Sequence, residues 1–130
     1  MHVEVFSLCD AATEYAGKLN ILGAFDTLWA KEVPVVHPQC AIALRVRFSR
    51  AEQGEHKIVI DFVDLDGRHL IPPAEGTIKI QFADDRISAA VNFVFHLQQL
   101  KLDRYGEYSI RLIVDGREEA ALPLFFKKRE

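Results

Sequence analysis

The stretch from Gly106 to Phe126 restricts the fold of this chain more than any other. Glu107-Tyr108-Ser109-Ile110-Arg111-Leu112 alternates polar with apolar, Asp115-Gly116 follows, and a second apolar run passes through Ala121, Leu122, Leu124 and Phe126. Strict alternation gives a strand with one buried face, and Asp-Gly between two such runs is a strong short-range hairpin signal. A chain that must bury such a hairpin needs a second β-layer against it.

The same grammar recurs upstream. Residues 2–9 read as a strand with Val3, Val5 and Leu8 inward. Residues 10–17 follow, either as one helical turn capped by Asp10 and ended by Gly17 or as a plain hairpin loop. Leu19 to Trp29 reads as a strand interrupted at Gly23. The prolines of Val33-Pro34-Val35-Val36-His37-Pro38 cannot donate to a ladder, so this segment is expected to be a connection crossing between sheets. Cys40–Phe48 and His56–Leu65 alternate again, and Arg68–Ile71 starts a short strand that Pro72-Pro73 stops. Strands follow at Gly76–Phe82 and Ile87–Leu97, while 97–102 fits either strand or a helical turn. About eight or nine strands at this spacing, with no convincing amphipathic helix, predict an all-β, two-sheet antiparallel β-sandwich holding at most one or two short helical turns.

With 130 residues, the chain is expected to form a single domain over 1–130, large enough to need no disulfide or metal staple. Net charge is −3, and the only basic cluster is Lys127-Lys128-Arg129 at the end, so no nucleic acid is expected as a partner. No long apolar run argues for a membrane span. The N-terminus enters a strand directly without signal-peptide regions, which reads as cytoplasmic. Cys9 and Cys40 sit among apolar residues and read as buried thiols rather than a disulfide.

Asp10-Ala11-Ala12 followed by Gly17-Lys18-Leu19-Asn20-Ile21-Leu22-Gly23 resembles the opening of a bacterial single-domain family of unknown function. Its members start with an apolar strand ending in Asp-Ala-Ala, continue through Gly-Lys-Leu-x-hydrophobic-Leu-Gly, and close with a Gly-x-Tyr strand and hairpin like 106–126. The likeness spans nearly the whole chain; Ala24-Phe25 departs from the glycine-rich continuation expected there. The resemblance implies a small, largely β bacterial protein, and it brings no catalytic residue.

Motifs for chemistry fail one by one. Gly17-Lys18 lacks the earlier Gly and the following Ser or Thr that a phosphate-binding loop needs. His2, His37, His56, His69 and His96 show no metal-ligand spacing, and no Gly-x-Ser-x-Gly elbow exists. Asp64, Asp66, Asp84 and Asp85 would gather around calcium only if 64–66 and 84–85 fall at one end of the sandwich. No catalytic, cofactor-binding or metal residue is therefore named, and no cofactor is expected.

Some strands are apolar on both faces: Val94 opposes Phe93 and Phe95, Ile113 opposes Leu112, and Phe125 adjoins Phe126. Their second faces need cover from a loop, a second copy or a ligand. Ile113, Phe125 and Val94 are thus the candidate interaction surface of a non-enzymatic protein-interaction or assembly module, with an unknown protein partner or a homo-oligomer. The alternative is a small-ligand or carbohydrate-binding sandwich using Trp29, Gln81 and Asn92; a metal-dependent hydrolase is the remote third.

Overall fold

The computed structural model describes all 130 residues. Nine strands follow in order: β1 (His2–Tyr15), β2 (Lys18–Ala24), β3 (Thr27–Ala30), β4 (Val35–Ser49), β5 (Gly54–Asp64), β6 (Ala74–Ile80), β7 (Ser88–Leu102), β8 (Gly106–Val114) and β9 (Arg117–Lys128). One sheet has the order β2-β1-β4-β7 and the other β3-β9-β8-β5-β6. A single 3-10 turn, Arg50–Glu52, joins β4 to β5.

The alternating residues fill the space between the sheets. Ile42, Leu44, Val46 and Phe48 on β4 meet Ile58, Ile60 and Phe62 on β5 and Ile110, Leu112 and Val114 on β8, in one cluster completed by Leu124 and Phe126. At roughly 1.5–3 kcal/mol for each fully buried large side chain, this cluster is the main source of stability. On β1 the register shifts between Val3 and Val5, so Val3, Phe6 and Leu8 turn to the core and Val5 does not. That corrects the inward reading of Val5.

The sandwich is not strictly antiparallel: β3 pairs with β9 in parallel, Thr27 beside Phe125 through Ala30 beside Lys128. The expected long strand 19–29 is in fact two strands in different sheets, with the crossing at Phe25-Asp26. The expected crossing between sheets at 33–38 is made earlier, by residues 31–34 between β3 and β4, and Val35–Pro38 already belong to β4. Pro38 is tolerated there because β1 pairs with β4 only from Ala41 onward, which leaves the proline an edge-like position. Opposite it, Gln99 adopts φ 56. Arg68–Ile71 forms no strand, only one bridge between His69 and Val63. Residues 97–102 continue β7.

Residues 10–15 are strand rather than helix. Ala16 and Gly17 (φ 52 and 76) make the two-residue turn of a hairpin, as do Asp115 and Gly116 (φ 51 and 83) between β8 and β9. Consecutive positive φ values are those of a turn whose twist matches the strands it joins.

Candidate interaction surface

The β1–β2 hairpin leaves its sheet. β1 pairs with β4 as far as Cys9 opposite Ala41, and beyond that it pairs only with β2. The departure is at Asp10 and Gly23. Gly23 has φ +70, and a Cβ there would stand 2.5 Å from Asp10 Oδ2. Only glycine combines this backbone with so close an approach. The hairpin then lies as an arm across the back of the sheet, the face turned away from the core. There Cys9, Ala12, Ala41 and Ala43 form a second buried cluster with Leu19 and Val94 against it. Alanines provide the seat because larger side chains on β4 would hold the arm off.

A relay of polar contacts fastens the arm's tip. Glu4 accepts from Arg45 Nε at 2.8 Å and from Arg47 Nε at 2.7 Å. Arg45 Nη1 donates to Asn92 Oδ1 at 2.9 Å, and Asn92 Nδ2 donates to the carbonyl of Gly17 at 3.1 Å. Hydrogen bonds from Arg47 and Arg45 hold the Glu4 carboxyl below its ordinary range. The tip therefore reaches β7, on the far side of β4.

The arm's outward side is apolar and open. Ala11, Ala12, Thr13, Asn20, Ile21 and Leu22 line a shallow groove of about 330 Å³. Leu22 is 71% exposed and Tyr15 77%. β2 is a sheet edge, so its outer backbone groups have no strand beside them. Sequence reasoning missed this surface, although Leu19, Ile21 and Leu22 already mark a strand apolar on both faces.

The residues named from sequence are dispersed. Val94 lies against the arm's seat, half-buried. Ile113 and Phe125, also half-buried, share the back of the other sheet but stand at its two ends, Ile113 beside Val59 and Phe125 beside Glu107. Between them is a polar centre in which Arg111 donates to buried Asp61, whose other oxygen is 2.7 Å from His69 Nδ1. Trp29 is on edge strand β3 with Lys127 over its ring, Gln81 follows edge strand β6 at the opposite side of that sheet, and Asn92 belongs to the arm's relay. No single cleft unites these three.

The turn carboxylates are divided between the two ends of the sandwich. Asp64 and Asp66 lie by the start of β8, facing Arg104 at 3.5 and 3.6 Å. Backbone N–H groups of Arg68 and Asp66 lower the Asp64 pKa. Asp84 and Asp85 are at the opposite end, beyond Ile80, which pairs with Gly54. These carboxylates do not converge on a cation. Cys9 and Cys40 are both free and buried, one in each cluster, on opposite faces of the sheet. Burial pushes the Cys40 thiol up to about 11, so it is inert rather than nucleophilic.

At the Asp64 end the Tyr108 hydroxyl donates to the carbonyl of Arg104 at 2.5 Å, a tyrosine corner that locks the entry into β8. At the other end His56 stacks on Phe48 with centroids 4.6 Å apart. Its Nδ1 lies 2.7 Å from Asp115 Oδ2 and its Nε2 2.6 Å from the carbonyl of Glu52. Both neighbours only accept, so the ring satisfies both as imidazolium. The bond to Asp115 accordingly raises the His56 pKa and lowers that of Asp115.

A family model matches residues 4–127, nearly the whole chain. The chain belongs to a family of unknown function, DUF6941. The signature that pointed to such a family now has a physical content for this DUF6941 member. Asp10 and Gly23 are the bend, Ala12 is the seat, Gly17 is the turn, and Gly106-x-Tyr108 is the tyrosine corner. No curated protein matches the chain. Among solved structures, a β-glucosidase from Listeria innocua in complex with isofagomine is similar at 11% identity with a TM-score of 0.54. The likeness covers 97% of this chain and 16% of that one. It shows the fold alone: the sandwich is a segment of a much larger protein there. No helix here is long and apolar enough to cross a membrane.

Proposed function

We propose that this protein is a non-catalytic interaction module that receives an extended segment of a partner protein along the β1–β2 arm. The observation that carries the reading is the arm's groove. Exposed Leu22 and the small side chain of Ala11, opposite each other on one face of the hairpin, stand beside a free strand edge on β2. Strand addition to such an edge gains affinity from main-chain hydrogen bonds and specificity from pockets for alternate side chains. The partner segment should therefore be extended, with apolar residues at alternate positions. A photo-crosslinking residue at position 22 should join the protein to a discrete partner, and purified partner should bind at least tenfold more weakly to Leu22→Asp. Equal crosslinking from position 22 and from position 79, on the opposite edge strand, would overturn the reading.

A further inference from the structure

Four strands end the two sheets, and three of them carry the usual protection against edge-to-edge pairing. β3 is only 4 residues long. β6 has 7 residues, carries Glu75 and Lys79, and follows Pro72-Pro73. β2 has 7 residues and curls out of its sheet with the arm, so it can take a single added segment but cannot meet the flat edge of another sheet. Short edges, charges, prolines and bends are the devices that keep edges from meeting.

β7 has none of these over most of its length. It is 15 residues long and pairs on one side only, with β4. From Ser88 to Leu100 it contains no Asp, Glu, Lys, Arg, Pro or Gly, and its one titratable side chain is His96. No backbone hydrogen bond outside the ladders reaches it. Along this edge the sandwich is also open. Phe93 and Phe95, with ring centroids 6.2 Å apart, are half-buried, as are Val91 and Ile78. A long, uncharged, unpaired edge beside incompletely covered aromatic rings is built to be covered.

We propose that β7 pairs antiparallel with β7 of a second copy, about a two-fold axis near Val94, so that two four-stranded sheets become one of eight. The sequence is complementary to itself in this register. Core-facing Phe93 meets Phe95 and Val91 meets Leu97, while on the back of the sheet Asn92 meets His96 and Ala90 meets Gln98. Apolar faces apolar, and no like charges come together. A two-fold contact is isologous, so one patch supplies both sides. Pairing over 90–98 supplies about nine main-chain hydrogen bonds, within the roughly ten of a specific interface. The arm does not obstruct the edge, because it lies on the back of the sheet and its tip is bound at Asn92. The pairing uses a different edge from the partner groove on β2, so either reading can fail without the other.

Positions 90 and 98 are about 27 Å apart along one strand, too far to interact within a copy, yet opposite each other across the proposed axis. Light scattering coupled to size-exclusion chromatography should give twice the monomer mass for the native protein at micromolar concentration. Ala90→Lys with Gln98→Lys sets like charges face to face twice and should give monomer. Ala90→Glu with Gln98→Lys sets opposite charges there and should give dimer again. Thermal unfolding of both double variants checks that each is folded, since Ala90 also lies beside Arg47. A native monomer at high micromolar concentration, or two folded double variants in the same oligomeric state, would overturn the proposal.

Discussion

The two hairpins that open and close this chain have the same kind of turn and opposite fates. Both reverse through two residues of positive φ, Ala16-Gly17 in one and Asp115-Gly116 in the other. β8 and β9 then lie flat within a sheet, β8 paired on both sides and β9 on its second side from Phe125 to Lys128, and they send Ile110, Leu112, Val114, Leu124 and Phe126 into the core. β1 and β2 bend at Asp10 and Gly23 and fold onto the back of their own sheet. Turn chemistry makes a hairpin; side-chain volume decides where it rests. Large branched residues at alternate positions demand a core between layers, whereas Ala12, Ala41 and Ala43 allow two backbones to approach on a face that would otherwise be bare.

The sharpest way to separate the two hairpins is to truncate the core of one. Leu112→Ala should cost about 2–5 kcal/mol and lower the midpoint of the whole unfolding transition, read by denaturant titration. Overfilling the seat of the other should act locally. Ala43→Leu is expected to cost about 1–3 kcal/mol and to release the arm. Hydrogen exchange should then accelerate over 10–24 while β5 and β8 stay protected, and a uniform acceleration would show that the arm and the core are one cooperative unit.

Tyr108→Phe removes one hydrogen bond at the entry to the closing hairpin and leaves Arg104's carbonyl unpaired. About 1 kcal/mol of destabilisation is expected, measurable as a small drop in midpoint with no change in the arm's exchange. The smallest effect is the response to pH at the turn of the closing hairpin, which the arm's turn lacks. His56 has its pKa raised above 6.5. Its contribution is fully present below that value and is lost as pH rises through the raised folded pKa. Asp115, lowered from 3.8, contributes above its unfolded value and loses that contribution as pH falls through the lowered one. Stability from this pair should thus be greatest between about pH 4 and 6.5 and decline on the alkaline side. His56→Ala should flatten that decline in thermal melts. An unchanged slope would place its origin elsewhere.

The closing hairpin was legible in the sequence because period-2 alternation and Asp-Gly are local signals. The arm was not. Asp10-Ala11-Ala12 and Gly17 to Gly23 mark a special backbone, but small residues do not announce what they pack against, and the seat is assembled from β4, far along the chain. The same blindness split the strand at 19–29, since a change of sheet at Phe25-Asp26 leaves the apolar pattern intact. Pro38 misled for a related reason: a proline is forbidden by its neighbours, and only the sheet order shows that one neighbour is missing. Ile113, Phe125 and Val94 read as second-face residues, and they are. Alternation gives the face of a residue and not which sheet or which end it occupies, so their separation could not be read. Leu22 was within reach, since it sits next to Ile21 in a strand too short to bury both.

Because β3 has no neighbour except β9, and the two run parallel, Thr27–Ala30 can join a sheet only when the last strand has been made. Almost the entire chain lies between the partners. During synthesis the first sheet can gather early from β1, β2 and β4, while this short segment, with Trp29 in it, waits for β9 to leave the ribosome. Closing so long a loop is slow, and it comes late. Fluorescence of the single tryptophan should then report the final step of folding rather than the first collapse.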